Sequence, residues 1–171
     1  MANGLTSSLV ARVYLGLGSN IDAESNLRIG LSELRRAYGS VDVSRVYRSA
    51  AVGFEGDDFL NLVVGVDTTE SPVDIHARME RIHDLVGRER GSERYASRPL
   101  DIDLLLYDDI VLEHPRFRIP RRDVLEYSFV LGPLAELDPA LVHPETGRSI
   151  AEHWRAFDQR CHPLHLVDVI L

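Results

Sequence analysis

Residues 100–107, Leu-Asp-Ile-Asp-Leu-Leu-Leu-Tyr, form the stretch on which the predicted fold depends. The segment is apolar except for Asp101, Asp103 and its last residue, which favours a β-strand. Side chains two residues apart on a strand point to the same face, about 7 Å apart at Cα. We therefore expect the two aspartates to lie side by side, while Ile102 and Leu104 point the other way into a core.

The segments upstream of this strand predict three more strands and two helices. Alternating side chains favour strands at 12–18, 41–48 and 59–67. Leucines with helical spacing predict a helix over 24–38, and Ser71 with Pro72 begins a second helix that continues to about Val86. The resulting order is β-α-β-β-α-β. It is typical of the ferredoxin-like fold of the α+β class, an antiparallel sheet with two helices packed on one face.

The rest of the chain is less regular. Residues 88–98 are polar and arginine-rich and predict a loop, whereas residues 128–137 favour a helix or a strand–helix junction. A short helix is predicted at 150–157. No repeat, low-complexity run or linker divides the chain, so we expect one domain over residues 1–171. Its core would span about 12–155, with a C-terminal extension at 156–171.

The composition points to a soluble protein that binds a small anion. The net charge of the 171 residues is −8, which disfavours a nucleic-acid partner. All 19 basic residues are arginine, and eight of them fall between Arg88 and Arg122. Genome base composition can explain the missing lysines but not this clustering, which indicates a local anion site.

The compartment predicted from the sequence is the cytoplasm. No apolar run is long enough to cross a membrane, and residues 1–10 lack the features of a signal peptide. The single cysteine, Cys161, excludes an intrachain disulfide and fits a reducing environment. We therefore expect no membrane partner.

Asp101 and Asp103 are the sharpest chemical signal in the sequence. Two carboxylates on an otherwise apolar strand repel each other and are desolvated, and a divalent cation relieves both effects. Mg²⁺ suits such oxygen ligands, because it usually takes one or two carboxylates together with phosphate oxygens and water. The alternative is a solvated strand face, or carboxylates paired with nearby arginines such as Arg94 and Arg98.

The arginine-rich loop is the second signal. Arginines at 88, 90, 94 and 98 flank the aspartate pair, and guanidinium groups bind phosphate through paired hydrogen bonds. A metal-binding carboxylate pair beside such a loop is suited to phosphoryl transfer. The alternative for the loop alone is a merely solvent-exposed segment.

Two further patterns in the sequence are weaker. Gly16-Leu-Gly18 is glycine-rich, but Ile21 breaks the dinucleotide-binding spacing, and without lysine no Walker A motif exists. His76 and His83 lie seven residues apart on the second predicted helix, where His83 could face the site.

The segment Arg94-x-Ala-Ser-Arg98-x-x-Asp101-Ile-Asp103-Leu-Leu resembles the signature of the 6-hydroxymethyl-7,8-dihydropterin pyrophosphokinase family. The resemblance spans about residues 13–155. Further segments match in order: Tyr14–Asn20 resembles the family's first strand, Tyr47–Ser49 with Gly53 and Phe59–Asn61 its pterin-pocket region, Gly87–Arg90 the start of its catalytic loop, and Phe129–Leu134 a later pocket strand.

The resemblance implies an enzyme of folate biosynthesis. It would transfer pyrophosphate from ATP, its co-substrate, to the hydroxymethyl group of a reduced pterin and release AMP. Asp101 and Asp103 would hold two Mg²⁺ ions, and Arg88 and Arg98 would complete the catalytic set. The family precedent is a monomer with small-molecule partners only.

The same resemblance implies two binding sets. Asn61 would hydrogen-bond the pterin edge, and Phe59 and Phe129 would sandwich its ring. The full pterin set is Ser49, Val52, Phe59, Asn61, Tyr95 and Phe129. The ATP set is Arg88, Arg90, Arg98, Ile102, Arg116, Arg118, Arg121 and Arg122.

Several positions depart from the family pattern, although the aspartate pair is intact. His83 replaces a common glutamate, Arg121 a histidine and Tyr127 an arginine, and Ala50-Ala51 replaces a proline-containing pair. Two alternatives therefore stay open: a paralogue that uses a related pterin or another nucleotide, and a non-catalytic ferredoxin-like domain that binds a ligand without turning it over.

Overall fold

The structure is a computed structural model that describes residues 9–87 and 99–171. Its strands are β1 (Ala11–Ser19), β2 (Asp42–Val43), β3 (Val46–Ser49), β4 (Phe59–Thr68), β5 (Asp101–Tyr107), β6 (Leu112–His114), β7 (Phe117–Ile119) and β8 (His165–Val167). Its helices are α1 (Ala23–Tyr38), α2 (Pro72–Leu85), α3 (Asp123–Glu126), α4 (Ser128–Leu137) and α5 (Ile150–Ala156). Within these described ranges, no helix is both long and apolar enough to cross a membrane.

The main sheet is antiparallel, with the strand order β5-β1-β4-β3-β8 and with β2 also paired to β4. β1 pairs with β4 along its whole length, from Ala11 opposite Thr68 to Ser19 opposite Leu60. Its other side pairs with β5, while β6 and β7 form a separate hairpin. In the part of the chain that the structure describes, β5 is therefore an outer strand, and it carries the aspartate pair.

Helices α1 and α2 cover one face of the sheet. They bury apolar residues with helical spacing, which are Leu27, Leu31 and Leu34 of α1 and Ile75, Met79 and Ile82 of α2. These side chains pack with Ile102 and Leu104 of β5, so the predicted inward direction of both is confirmed. Burying one such aliphatic side chain stabilises a protein by about 1.5–3 kcal/mol, and this core therefore fixes the orientation of β5.

The opposite face of the sheet is covered by α4 and α5. Val130, Leu131 and Leu134 of α4 are buried together with Tyr14 and Leu105 from the strands. In a strand, Val130 and Leu131 would point to opposite faces, whereas on a helix these three residues share one face. The expectation of a pocket strand at residues 129–134 is therefore wrong, and the helix alternative for residues 128–137 is confirmed.

The predicted strand at 41–48 is divided into β2 and β3, because the two pair with β4 in different registers. Val43 faces Val64 and Tyr47 faces Asn61, so one chain contributes an extra residue, as in a β-bulge. The buried Ser44 lies at this irregularity. Its Oγ accepts the N–H of Val63 at 2.9 Å, and its own N–H donates to the Val63 carbonyl at 2.9 Å.

Residues 156–171, predicted as an extension, return to the sheet. β8 pairs with β3, from Val46 opposite Val167 to Arg48 opposite His165. Further on, the guanidinium Nη2 of Arg28 on α1 donates to the carbonyl of Ile170 at 3.0 Å. The segment therefore runs from α5 along β3 to α1.

Replacing Ser44 with alanine should lower the free energy of unfolding by about 1–3 kcal/mol, because it leaves the buried Val63 N–H without an acceptor. The measurement is urea denaturation followed by circular dichroism. Ser40→Ala, at an exposed position, is the matched control and should change the free energy by less than about 0.5 kcal/mol. Equal stability of the two variants would show that the bulge does not depend on the Ser44 hydroxyl.

Candidate active site

One pocket of about 440 Å³ collects most of the described residues that the sequence singled out. Its floor is formed by β1, β4 and β5, and α2, α4 and the β6–β7 hairpin form its walls. Asp101, Ile102, Asp103 and Leu104 all line it. Because consecutive strand residues point to opposite faces, the pocket passes across the outer edge of β5.

The aspartate pair faces glycines on the neighbouring strand. Asp103 lies opposite Gly16 and Asp101 opposite Gly18 in the β1–β5 register. A Cβ at Gly18 would come within 3.2 Å of Asn61 Oδ1, and one at Gly16 within 3.4 Å of Leu105. Gly16 and Gly18 therefore keep space open above the sheet beside both carboxylates. Their spacing does not fit a dinucleotide-binding motif, so their role here is steric.

Arg121 is the charged partner of this site. Its Nη1 lies 3.6 Å from Asp103 Oδ1, and its Nε donates to Asp123 Oδ2 at 2.9 Å. Its backbone N–H donates to the Leu105 carbonyl at 2.9 Å, which ties it to β5. Burial lowers the pKa of Arg121, but the charges of Asp103 and Asp123 outweigh this effect and raise the pKa above its usual value.

The contact between Arg121 and Asp103 matches the alternative interpretation of the aspartate pair, in which arginines pair with the carboxylates. Such a pairing is present between Asp103 and Arg121. Arg94 and Arg98, the arginines named for this alternative, lie outside the described residues. Asp101 and Asp103 nonetheless stay partly exposed in the pocket. Their oxygen donors and shared strand face fit a divalent cation.

The metal-ligand set is small. No group of three His, Cys, Asp or Glu side chains within residues 9–87 and 99–171 has the spacing to hold a metal ion. Two carboxylates together with oxygens from a bound ligand or water are the usual arrangement for Mg²⁺.

His83 fixes the backbone between the two aspartates. It is 3% exposed, its Nε2 accepts the backbone N–H of Ile102 at 2.8 Å, and its Nδ1 lies 3.2 Å from Glu80 Oε1. A ring nitrogen that accepts a hydrogen bond carries no proton, so the ring is the neutral tautomer with its hydrogen on Nδ1. The N–H of Ile102 faces away from β1, and His83 supplies the acceptor that a further strand would provide.

The described residues of the predicted pterin set line the pocket together: Ser49, Val52, Phe59, Asn61 and Phe129. Asn61 is buried on β4, and its Nδ2 donates to Ser49 Oγ at 2.9 Å and to the Tyr47 carbonyl at 3.4 Å. These bonds occupy its amide nitrogen, and they aim its Oδ1 toward Gly18.

The two aromatic rings of the pterin set have different supports. Phe59 contacts Phe54 edge-on, with ring centroids 6.2 Å apart. Phe129 stacks on Tyr127, with centroids 5.0 Å apart and planes at 16°. Both rings line the pocket and offer aromatic surface to a ligand there.

The predicted ATP set is divided by the structure. Ile102, Arg116 and Arg121 line the pocket. The Arg118 guanidinium instead pairs with Glu113 and Glu145, and Arg122 is exposed away from the lining. The predicted residues Arg88, Arg90, Tyr95 and Arg98 lie outside the described residues.

An aromatic group that the sequence analysis did not assign lies beside Arg116. The Phe117 ring stacks between His114 and His76, with centroids 4.3 Å and 5.2 Å away. Burial lowers the pKa of His76 below its usual value, despite the opposing charge of Glu80. The only hint of this aromatic group in the sequence was the spacing of His76 and His83 on the second helix. Both histidines line the pocket.

The pocket is lined by a carboxylate pair with an arginine and by aromatic rings with a buried amide. This combination suits a protein of the class that binds a flat heterocycle next to an anionic group. The comparisons agree with this description. The model of the 7,8-dihydro-6-hydroxymethylpterin-pyrophosphokinase family matches residues 14–139. The chain therefore belongs to this family, and the family resemblance seen in the sequence is confirmed.

Individual relatives support the assignment. A 2-amino-4-hydroxy-6-hydroxymethyldihydropteridine pyrophosphokinase of Aquifex aeolicus is 34% identical over 137 residues, which cover 79% of this chain and 85% of the relative. An enzyme of the same name from Methylorubrum extorquens is 37% identical over 137 residues, with coverages of 78% and 86%.

A solved structure gives the corresponding comparison of folds. Wild-type Plasmodium falciparum HPPK-DHPS with pteroate superposes with a TM-score of 0.73 at 13% identity, over 89% of this chain. The match covers 43% of that longer chain, so this chain spans less than half its length. At this identity the likeness concerns the fold alone, a mixed fold with helices packed on an antiparallel sheet.

Replacing His83 with leucine should lower the free energy of unfolding by about 1–3 kcal/mol, because the Ile102 N–H loses its acceptor. His83→Gln, whose Oε1 can accept the same bond, should lose less. Urea denaturation of both variants checks this order, with Arg81→Ala, at an exposed position on the same helix, as the control. Equal losses for leucine and glutamine would contradict the hydrogen-bond role and assign the effect to packing.

Proposed function

We propose that this chain transfers pyrophosphate from ATP to the hydroxymethyl group of 6-hydroxymethyl-7,8-dihydropterin, giving AMP and the pterin diphosphate for folate biosynthesis. Family membership supports the reaction. The observation that carries the proposal is that a single pocket is lined both by the aspartate pair and by Asn61 and Phe129. The two substrates can therefore meet without a movement of the sheet.

The pterin would bind at the Asn61 end of the pocket. Its ring edge has donors and acceptors that match the Asn61 amide oxygen and backbone groups near Ser49 and Val52. A flat ring between Phe59 and Phe129 gains from aromatic surface on both sides. Gly18 leaves the room beside Asn61 that the ring edge needs, since a Cβ there would crowd Asn61 Oδ1.

The triphosphate would bind at the aspartate end. We assign Asp101 and Asp103 as the residues that would hold two Mg²⁺ ions, which would supply positive charge to the phosphates. Arg121, which lies 3.6 Å from Asp103, and Arg116, which lines the same pocket, would add positive charge. Arg88, Arg90 and Arg98 are proposed to do the same from the preceding loop. Arg118 and Arg122 are weaker members of this set, because the first is already paired with two glutamates.

In the reaction, the hydroxymethyl oxygen forms a bond to the β-phosphorus of ATP. The bond between that phosphorus and the oxygen bridging it to the α-phosphorus breaks, and AMP leaves. The hydroxyl proton passes to water or to a phosphate oxygen. Such transfers depend mainly on positioning and charge neutralisation. We assign positioning to Asn61, the aromatic rings and His83, and neutralisation to the arginines.

The finer description of the fold belongs to the same proposal. We assign the β1–α1–β3–β4–α2–β5 unit to the ferredoxin-like class with a C-terminal extension. The sheet order β5-β1-β4-β3 and the position of α1 and α2 on one face support it. We expect a cytoplasmic monomer.

The direct test is incubation with ATP, Mg²⁺ and 6-hydroxymethyl-7,8-dihydropterin, with nucleotide products separated by chromatography. AMP should form in step with the pterin diphosphate, and EDTA should stop its formation until Mg²⁺ is restored. ADP as product would overturn the pyrophosphoryl assignment. Turnover with another nucleotide or pterin only would identify a paralogue, and binding without turnover a non-catalytic domain.

Asp103→Ala should lower kcat/KM at least roughly 10²-fold, because it removes half of the proposed metal-ligand pair. Its circular dichroism spectrum should stay that of the wild type, since Asp103 points into the pocket and not into a core. Asp109→Ala, at an exposed turn after β5, is the control and should keep wild-type kinetics. Near-wild-type turnover of Asp103→Ala would refute the metal assignment.

A further inference from the structure

The C-terminal segment, residues 158–171, lies beyond the part of the chain that matches the family model, which ends at residue 139. Nothing in the family comparison therefore assigns it a role. In the structure the segment leaves α5, passes the pocket wall that contains Phe129, and continues as β8 beside β3.

The first contact of the segment is with the aromatic wall of the pocket. The His162 ring lies edge-on to Phe129, with centroids 6.4 Å apart and planes at 73°, and 5.5 Å from the Tyr127 ring. Tyr127 and Phe129 stack on each other and both line the pocket. Edge-to-face contacts of this kind favour one orientation of a ring over others.

The backbone of the segment is held in place at the same point. The Ser128 hydroxyl, which is buried at the start of α4, donates to the carbonyl of His162. Two residues later, Leu164 packs over Gly132, where an added Cβ would come within 2.8 Å of Leu164 Cδ1 and 3.0 Å of the Trp154 ring. The side chain of His162 is thus positioned by α4, the helix that carries Phe129.

The second contact is with the strand that supports Asn61. β8 pairs with Val46, Tyr47 and Arg48 of β3. On its other side β3 pairs with β4, with Tyr47 opposite Asn61 and Ser49 opposite Phe59. The segment therefore supports both sides of the proposed pterin pocket, the ring of Phe129 and the strand whose Ser49 hydroxyl orients Asn61.

We infer that the C-terminal segment is a working part of the pterin pocket, in which His162 is a positioning residue that holds the Tyr127–Phe129 stack for the incoming ring. The inference rests on the proposed function. His162 contacts Tyr127 and Phe129 and is not among the described residues that line the pocket, so it would act through Phe129. Its removal should therefore weaken pterin binding selectively.

The test compares steady-state kinetics of three variants of the full chain. His162→Ala should raise KM for the pterin about threefold to tenfold, the range that one aromatic contact supplies, and leave KM for ATP within twofold. His162→Phe, which keeps an aromatic edge against Phe129, should recover most of the pterin affinity. His165→Ala, at an exposed position on β8, is the matched control and should keep wild-type values.

A binding measurement separates this inference from the proposed function. Calorimetric titration of 6-hydroxymethylpterin, with Mg²⁺ and a nonhydrolysable ATP analogue present, should show the same loss for His162→Ala. Wild-type turnover with an unchanged pterin KM in His162→Ala overturns the inference alone, as does an equal rise in both KM values or an equal effect of His165→Ala. Wild-type protein that neither forms AMP nor binds the pterin overturns the proposed function and the inference with it.

Discussion

The pairing of β1 with β5 is the constraint on which the rest of the site depends. Its register sets Gly16 opposite Asp103 and Gly18 opposite Asp101. The intervening residues, Leu17 opposite Ile102, point into the core under α1 and α2. A slip of one residue would turn the aspartates into that core and the leucines into the pocket. The burial of apolar side chains on one face therefore fixes the chemistry on the other.

Much of this arrangement could be predicted from local patterns. The alternation in residues 100–107 and the helical spacing of Leu27, Leu31 and Leu34 depend on neighbours along the chain, and both predictions are confirmed. The family signature around Asp101 and Asp103 predicted the family. Five described pterin-set residues also lie in one pocket, although their roles stay predictions.

Other features depend on partners distant in sequence, and local patterns carry no signal for them. The division of the strand at residues 41–48 follows from the bond between Ser44 and Val63 on another strand. β8 is three residues long and polar at its start, so only its pairing with β3 identifies it. The bond between His83 and Ile102 joins residues 19 positions apart. The ion pair between Arg118 and Glu145 could not be predicted either, because Glu145 lies far along the chain from Arg118.

Carboxylates outnumber arginines among the described residues of the pocket, and two of them share Arg121. Asp103 and Asp123 share Arg121, which raises the pKa of that guanidinium although burial opposes the effect. An anionic ligand with its own cations could compete for Asp103 without leaving Arg121 unpaired, since Asp123 remains bonded to it.

The bond between His83 and the N–H of Ile102 also has a consequence for association between molecules. Outer strands expose donors and acceptors to which a strand from another chain can add, and this is a common route to aggregation. On β5 the N–H of Ile102 is already occupied by a side chain, and the alternating aspartates carry charge beside it. The hydrogen bond that fixes the candidate site therefore also removes one attachment point for sheet extension at β5, an outer strand in the described part of the chain.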